Sequence, residues 1–172
     1  KKTHIMENNE KCYVVGIDIG GTNTVFGIVD ARGEIIATDS IKTGNYAVAA
    51  DYVDAFCGPL AKLIESVGKE KIKGIGIGAP NANYYKGIVE NAANLPWGKG
   101  IVPLCEMVTE RLGIPSAVTN DANAAAVGEM TYGAAQGMKD FIMITLGTGV
   151  GSGIIVNGQL VYGHDGFAGE LG

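Results

Sequence analysis

Cysteine is scarce in this sequence and lacks the spacing of a metal site or a disulfide framework. The three cysteines, Cys12, Cys57 and Cys105, are widely separated, and no C-x-x-C pair occurs among the 172 residues. This odd, scattered set excludes a zinc knuckle and a small disulfide-stapled fold, and it favours a reduced, cytoplasmic location. Cys12 and Cys105 lie in apolar patterns, which predicts that both pack as small hydrophobic side chains.

Positive charge and long apolar runs are also missing. The chain has 13 lysines and arginines against 18 acidic residues, a net charge of −5. The longest basic stretch, KEKIK at 69–73, is interrupted by Glu70. Because nucleic-acid binding needs a basic surface, no nucleic-acid partner is expected. No apolar run approaches the roughly 20 residues of a membrane-spanning helix, so no membrane partner is expected either.

Glycine, in contrast, is abundant: the 27 glycines are roughly twice the usual share of about 7%. Two segments concentrate them, DIGGTN at 18–23 (the first glycine loop) and LGTGVGSG at 146–153 (the second glycine loop). Each follows an apolar, β-branched run. Glycine lets backbone amides approach and point at anionic oxygens, partly by allowing positive φ. The pair therefore predicts two loops that hold one polyphosphate. Neither is a Walker A loop, because no G-K-[ST] follows.

Both loops also fit a simpler interpretation. Gly-Gly between β-forming residues is typical of a tight hairpin turn, with Asp18 capping it, and the second glycine loop fits a bulged hairpin. The recurrence of Gly, Gly and Thr in both loops favours the functional interpretation. A carboxylate beside phosphates needs a cation between them, so Asp18 predicts Mg²⁺ bound through water.

The dipeptide Asn120-Asp121 is predicted to lie where a strand meets a helix. Asn and Asp are favoured helix N-caps, which is the simpler interpretation. The functional one is that Asp121 accepts the proton of an alcohol while Asn120 binds a neighbouring hydroxyl. Glu170, in GFAGELG, fits either a solvated turn or a site. Trp97, in NLPWG, fits either a core position or an apolar platform for a sugar.

The pattern of apolar residues and turn signals predicts the order βββαβαβα followed by a second βββ. The predicted strands are 12–19, 24–30, 34–40, 73–79, 116–119, 140–145, 152–156 and 159–162, and the predicted helices are 46–67, 102–112 and 121–132. Asn45 is the predicted N-cap of the first helix, and Pro59 is expected to kink or restart it. Residues 80–100 are predicted to be a long irregular loop. The apolar strands at 141–145 and 153–156 are expected to lack covering helices.

These motifs together resemble the ROK family of sugar kinases and repressors, within the actin-like ATPase fold. The matching segments are DIGGTN, GIGAP, TNDANAAAVGEMTYGA, ITLGTGVGSGIIVNG and HDGFAGELG, which span residues 16–172. The resemblance implies an α/β chain: a flexible tail over 1–11, an actin-like (ribonuclease H-like) domain with a mixed βββαβα sheet over 12–138, and the incomplete start of a second such domain over 139–172. It also implies that the chain is an N-terminal piece, inactive alone, of a kinase about twice its length.

The resemblance implies ATP-dependent phosphorylation of a hexose at its 6-hydroxyl, with glucose as the first candidate. An N-acetylhexosamine or fructose kinase and a silent sugar-binding or transcriptional regulator are the alternatives. Asp121 would be the general base, and Asn120, Asp121 and Glu170 would bind the sugar. The phosphate-binding residues would be Asp18, Gly20, Gly21, Thr22, Asn23, Gly147, Thr148, Gly149 and Gly151.

ATP and Mg²⁺ are the implied cofactors, and a cytoplasmic homo-oligomer is expected. A structural zinc ion is expected in full-length members of the family, but its ligands are absent from this sequence. The family often carries a basic residue where this chain has Asn23.

Overall fold

Three β-sheets and three α-helices make up the fold, as described by a computed structural model for residues 11–147 and 149–171. The strands are β1 (Tyr13–Ile19), β2 (Asn23–Asp30), β3 (Ile35–Lys42), β4 (Ile72–Gly78), β5 (Ala82–Asn83), β6 (Ile88–Glu90), β7 (Ile101–Val102), β8 (Ser116–Thr119), β9 (Phe141–Leu146), β10 (Val150–Val156) and β11 (Gln159–Leu160). The helices are α1 (Ala49–Val67), α2 (Leu104–Leu112) and α3 (Asp121–Tyr132). The predicted order of elements is confirmed except for the short strands β5, β6 and β7, which were not predicted. Residues 1–10 of the predicted tail, Thr148 and Gly172 lie outside the described residues.

The larger sheet has the order β3-β2-β1-β4-β8. Strands β1 to β3 form an antiparallel meander, whereas β1, β4 and β8 run parallel. This mixture follows from the connections, because short turns allow only antiparallel pairing and the helical crossovers return the chain in parallel. The sheet is therefore the mixed βββαβα sheet expected, and the carboxyl ends of β1, β4 and β8 meet at one edge.

One face of this sheet packs on α1 and α2. Buried residues alternate along β1 and β2, and they meet aromatic side chains of α1: Phe26 lies 6.3 Å from Phe56, and Tyr52 lies 5.3 Å from Phe56, between ring centroids. Trp97 is 4% exposed and stacks on Tyr52 at 4.6 Å. Trp97 therefore belongs to this core and is no exposed platform for a sugar.

The second sheet has the order β11-β10-β9 and is antiparallel throughout, and the short strands β5, β6 and β7 form a third sheet. Asn157 and Gly158 form the turn between β10 and β11, with φ of 54° and 75°, as predicted for an Asn-Gly turn. Helix α3 packs on β10, and only small side chains separate them. On β9, Ile142, Ile144 and Leu146 are 58%, 56% and 82% exposed, so these apolar positions lack a cover within the described chain. The domain boundary between residues 138 and 139 stays a prediction.

Several local predictions were wrong. Helix α1 begins at Ala49 with Val48 as its N-cap, because Asn45 is taken into a short 3-10 turn, and the helix continues through Pro59 without restarting. Cys12 is exposed because it precedes the sheet. Residues 80–100 are less irregular than expected, since β5 and β6 pair with each other and β6 with β7. Strands of two or three residues are too short to show a periodic pattern.

No helix among the described residues combines the length and the apolar character needed to cross a membrane.

Candidate functional site

Asp18 lies at the carboxyl end of β1, in the middle of the larger sheet. Its register partners are Val25 on β2 and Gly78 on β4. The strands on both sides fix its backbone, while its side chain faces the open cleft at the sheet edge. Ligand sites of α/β folds favour this edge.

Asp121 begins α3 directly opposite Asp18, across Gly78. A Cβ atom placed on Gly78 would lie 3.4 Å from the Ala124 Cβ, 3.7 Å from the Asp121 Cα and 3.9 Å from the Asp18 Oδ1. Gly78 thus lies between Asp18 and the start of α3, and an added Cβ would make ordinary van der Waals contacts with both. The structure brings together two predicted site residues that are 103 positions apart (121 − 18).

The two carboxylates influence each other electrostatically. The surrounding strands remove part of the hydration of Asp18, which raises its pKa above the ordinary value, and the negative charge of Asp121 raises it further. Two neighbouring carboxylates without a compensating cation give this result. A divalent cation that prefers oxygen ligands would relieve it, so the residues present fit the expected Mg²⁺. No group of three or more His, Cys, Asp or Glu side chains in the described ranges is placed to hold a metal ion.

Asn120 connects the start of α3 to the loop that carries Glu170. Its Oδ1 accepts a hydrogen bond from the Ala122 backbone N–H at 2.8 Å, which confirms it as the N-cap of α3. Its Nδ2 donates to the Glu170 Oε1 at 2.7 Å. The loop is held against β10 because the Ser152 hydroxyl donates to the Gly169 carbonyl at 2.6 Å. Asn120, Asp121 and Glu170 therefore form one polar cluster, as expected for residues that bind one substrate.

The first glycine loop is a tight turn, in which the Gly20 N–H donates to the Asn23 carbonyl at 3.0 Å. A Cβ on Gly21 would lie 3.2 Å from the Asn94 carbonyl oxygen, so residues 80–100 pack against this loop. Neither Gly20 nor Gly21 has a positive φ. The expectation that these glycines serve unusual backbone angles was wrong, since close approach of neighbouring backbone accounts for them.

The second glycine loop divides into an open part and a packed part. Gly147 and Gly149 are exposed, a Cβ on either would meet nothing within 4 Å, and neither has a positive φ. On Gly151 a Cβ would lie 2.6 Å from the Thr145 Oγ1 and 3.0 Å from the Ala122 Cβ. Glycine at 151 is thus required for the packing of α3 on β10. Its contact with phosphate stays a prediction, as does that of Thr148, which lies outside the described residues.

A cleft of about 820 Å³ contains both Asp18 and Asp121. Its polar end is lined by Asp18, Thr119, Asp121 and Thr145, and the exposed face of the larger sheet forms its apolar side. Tyr84 and Tyr162 also line it and stack on each other at 4.2 Å with an interplanar angle of 9°. Neither tyrosine was predicted from the sequence to be a site residue. The adjacent pair Tyr84-Tyr85 inside a long loop was the one available signal.

Comparisons with known proteins identify the family of this chain. A profile of the ROK family matches residues 14–172. The glucokinase of Streptomyces coelicolor is 43% identical over 161 residues, which cover 92% of this chain and 48% of that protein. The glucokinase of Halalkalibacterium halodurans is 38% identical over 163 residues, covering 93% of this chain and 49% of that protein.

Among solved structures, a ROK family glucokinase from Streptomyces griseus, crystallised with glucose and AMPPNP, superposes with a TM-score of 0.81 at 41% identity, covering 93% of this chain and 49% of that one. The chain spans about half the length of the curated relatives it matches. The family match extends over nearly all of the described residues, including both glycine loops and the Asn120–Glu170 cluster. The chain therefore belongs to the ROK family.

Proposed function

We propose that this chain is the N-terminal part of an ATP-dependent hexose kinase whose first candidate substrate is glucose. The observation that carries the proposal is the placement of Asp121 across Gly78 from Asp18 and beside the Asn120–Glu170 pair. A sugar held by Asn120 and Glu170 would present a hydroxyl to Asp121 at the edge where the first glycine loop begins. The similarity to glucokinases of about twice this length supports both the activity and the substrate.

In the proposed reaction, the Asp121 carboxylate accepts the proton of the sugar 6-hydroxyl. The hydroxyl oxygen forms a bond to the γ-phosphorus of ATP, the bond from that phosphorus to the bridging oxygen breaks, and ADP leaves. A weak base suffices, because the transition state of phosphoryl transfer is loose and the hydroxyl becomes acidic late. The protein contributes mainly by holding both reactants in line.

Asn120 supports this role through its orientation. Because its Oδ1 caps α3, its Nδ2 is directed to Glu170, and together they offer a donor and an acceptor to adjacent sugar hydroxyls. Asp18 would hold Mg²⁺ through water, and the ion when bound would neutralise charge on the phosphates. The two glycine loops would bind the phosphates through their backbone amides. Cytoplasmic location and homo-oligomerisation stay predictions from the sequence.

The substitution Asp121→Asn in the full-length protein tests the base. We expect sugar-dependent ADP release to fall by about 10²-fold or more, as when a general base is removed, with sugar binding retained. The matched control is Asp51→Asn, which removes an exposed carboxylate from the first turn of α1 and should leave turnover unchanged. Near-normal turnover of Asp121→Asn with intact sugar binding would contradict the assignment.

The sugar is identified by the same assay on the wild-type protein with Mg-ATP and glucose, N-acetylglucosamine, N-acetylmannosamine or fructose in parallel. The highest kcat/KM is expected for glucose. A higher value for an N-acetylhexosamine or for fructose would replace glucose by that sugar. Absence of turnover with all four, while a sugar still binds, would favour the silent regulator.

A further inference from the structure

Lys42, at the end of β3, directs its ammonium group to the first glycine loop. Its Nζ donates to the Asn23 Oδ1 at 2.7 Å, and the two residues are register partners on adjacent strands. Both side chains are exposed. No sequence motif indicates this contact, because residues 23 and 42 are brought together only by the β2–β3 hairpin.

The backbone on both sides of this contact is fixed by buried hydrogen bonds. The Thr43 N–H donates to the Thr22 carbonyl at 3.0 Å, which ties the end of β3 to the loop. The Thr24 hydroxyl lies 2.8 Å from the Thr43 hydroxyl and 2.6 Å from the Tyr52 hydroxyl, and all three residues are buried. The position of Lys42 relative to the loop is therefore set by the core of the fold.

In the contact between Lys42 and Asn23, the hydrogen-bonding groups left unused on the two side-chain nitrogens are donors. An ammonium group can only donate, so the Asn23 oxygen must face Lys42 and the Asn23 Nδ2 is left as a donor. Lys42 uses one of its three N–H bonds on Asn23 and forms no ion pair with a carboxylate of the described residues. An exposed positive charge with spare donors beside a turn of backbone amides is a favourable place for an anionic oxygen.

We infer that Lys42 is a phosphate-contacting residue, held by Asn23 at the rim of the first glycine loop. The inference rests on the proposed function, since it assumes that this loop binds the phosphates of ATP. Asp18 and Lys42 then lie at opposite ends of the loop and serve different purposes. Asp18 acts through a metal ion, and Lys42 supplies a positive charge directly to a phosphate oxygen.

The alternative is that Lys42 only braces the β2–β3 hairpin. If Lys42 only stabilises the hairpin, its removal would lower the stability of the protein alone. If Lys42 contacts a phosphate, its removal would weaken the binding of nucleotides that carry phosphates. The two roles are therefore separated by comparing a nucleotide that carries phosphates with adenosine, which has none.

The experiment uses the full-length protein and calorimetric titration with AMPPNP, ADP and adenosine. For Lys42→Ala we expect about a tenfold weaker affinity for AMPPNP, the loss typical of one exposed charge-assisted hydrogen bond, and unchanged affinity for adenosine and for the sugar. The loss should shrink at high salt, because screening weakens the wild-type contact. Lys62→Ala, which removes an exposed lysine of α1, is the matched control and should change nothing.

A relocated charge sharpens the test. The double variant Asn23→Lys, Lys42→Ala moves the positive charge from β3 to the register partner on β2. Its affinity for AMPPNP should recover at least in part. Equal AMPPNP affinity in Lys42→Ala and wild type would overturn the inference, as would an equal loss for AMPPNP and adenosine. A wild-type protein that neither binds AMPPNP nor releases ADP would overturn the proposed function together with the inference, so the two failures are distinguishable.

Discussion

The glycines of the first glycine loop lie against backbone from elsewhere in the chain, whereas those of the second are either fully open or pressed against a helix. In the first loop, Gly21 faces the Asn94 carbonyl and the neighbouring Thr24 is buried in a hydroxyl network. In the second, a Cβ added to Gly147 or Gly149 would meet nothing within 4 Å, whereas one added to Gly151 would meet Ala122. Two similar sequence motifs therefore place their glycines in different surroundings, and only Gly147 and Gly149 have open space beside the Cα.

The largest expected effect comes from the packed part of the second loop. In Gly153→Ala the new Cβ would lie 2.5 Å from the Ala126 Cβ and 2.9 Å from the Ala122 carbonyl oxygen, so α3 must shift from β10. We expect a destabilisation of about 2–3 kcal/mol, the upper part of the range for overpacking, measured as a lower urea midpoint. Gly147→Ala is the control in the same loop and should retain the wild-type midpoint. Equal midpoints for the two variants would remove the distinction between packed and open glycines.

A smaller effect is expected from the support of the first loop. Tyr52→Phe removes the hydroxyl that lies 2.6 Å from the Thr24 Oγ1, and Thr24 keeps Thr43 as a partner. The loss should be about 1 kcal/mol of stability with a two- to threefold higher KM for ATP. Tyr46→Phe is the matched control, because Tyr46 is a neighbouring half-buried tyrosine whose hydroxyl lies outside the Thr24–Thr43–Tyr52 network. A KM for ATP unchanged by Tyr52→Phe would show that the loop does not depend on this support.

The smallest effect concerns charge, since the first loop begins with a carboxylate and the second with the exposed Leu146. The pKa of Asp18 is raised by partial burial and by Asp121, so ionised Asp18 opposes folding in the absence of a cation. This penalty is absent below the ordinary carboxyl pKa of 3.8 and is complete above the raised value. Asp18→Asn should therefore raise Tm slightly at pH 7 and leave it unchanged near pH 3.

The Tm values of wild type and Asp18→Asn also test whether Asp18 holds Mg²⁺. Millimolar Mg²⁺ should raise the Tm of the wild-type protein and have little effect on Asp18→Asn, if Asp18 holds the ion. The reverse order, with the variant less stable than wild type at pH 7 without Mg²⁺, would show that Asp18 contributes contacts that outweigh its electrostatic cost.

Much of the fold could be predicted from the sequence because its signals are local. The strand Ser116–Thr119 and the helix Asp121–Tyr132 have the predicted bounds, since an apolar strand, an N-cap pair and an alanine-rich run mark them. The start of α1 was missed because no polar side chain caps it, and Val48 occupies the N-cap. Pro59 was expected to kink or restart α1, but the helix continues through it without restarting.

The site was only partly predictable for a different reason. Asp18, Asn120, Asp121 and Glu170 stand in motifs that can be identified one at a time, and the structure places Asp121 near Asp18 and Asn120 against Glu170. Lys42 and Tyr162 stand in no motif. Lys42 reaches Asn23 only through strand pairing, and Tyr162 reaches Tyr84 only because residues 80–100 cross to the second sheet. Contacts of this kind depend on tertiary structure, which periodicity and spacing do not encode.

Residues 80–100, which carry Tyr84 and its stack on Tyr162, also link distant parts of the fold. Asn83 donates from its Nδ2 to the Asp165 carbonyl at 2.9 Å, and the Tyr85 hydroxyl donates to the Gly163 carbonyl at 3.1 Å. The same loop presses Asn94 against Gly21. Residues 80–100 therefore contact both the segment that follows β11 and the first glycine loop. A rotation of the β11-β10-β9 sheet relative to the larger sheet would either break the tyrosine stack or displace backbone at the place where the phosphates are expected to lie.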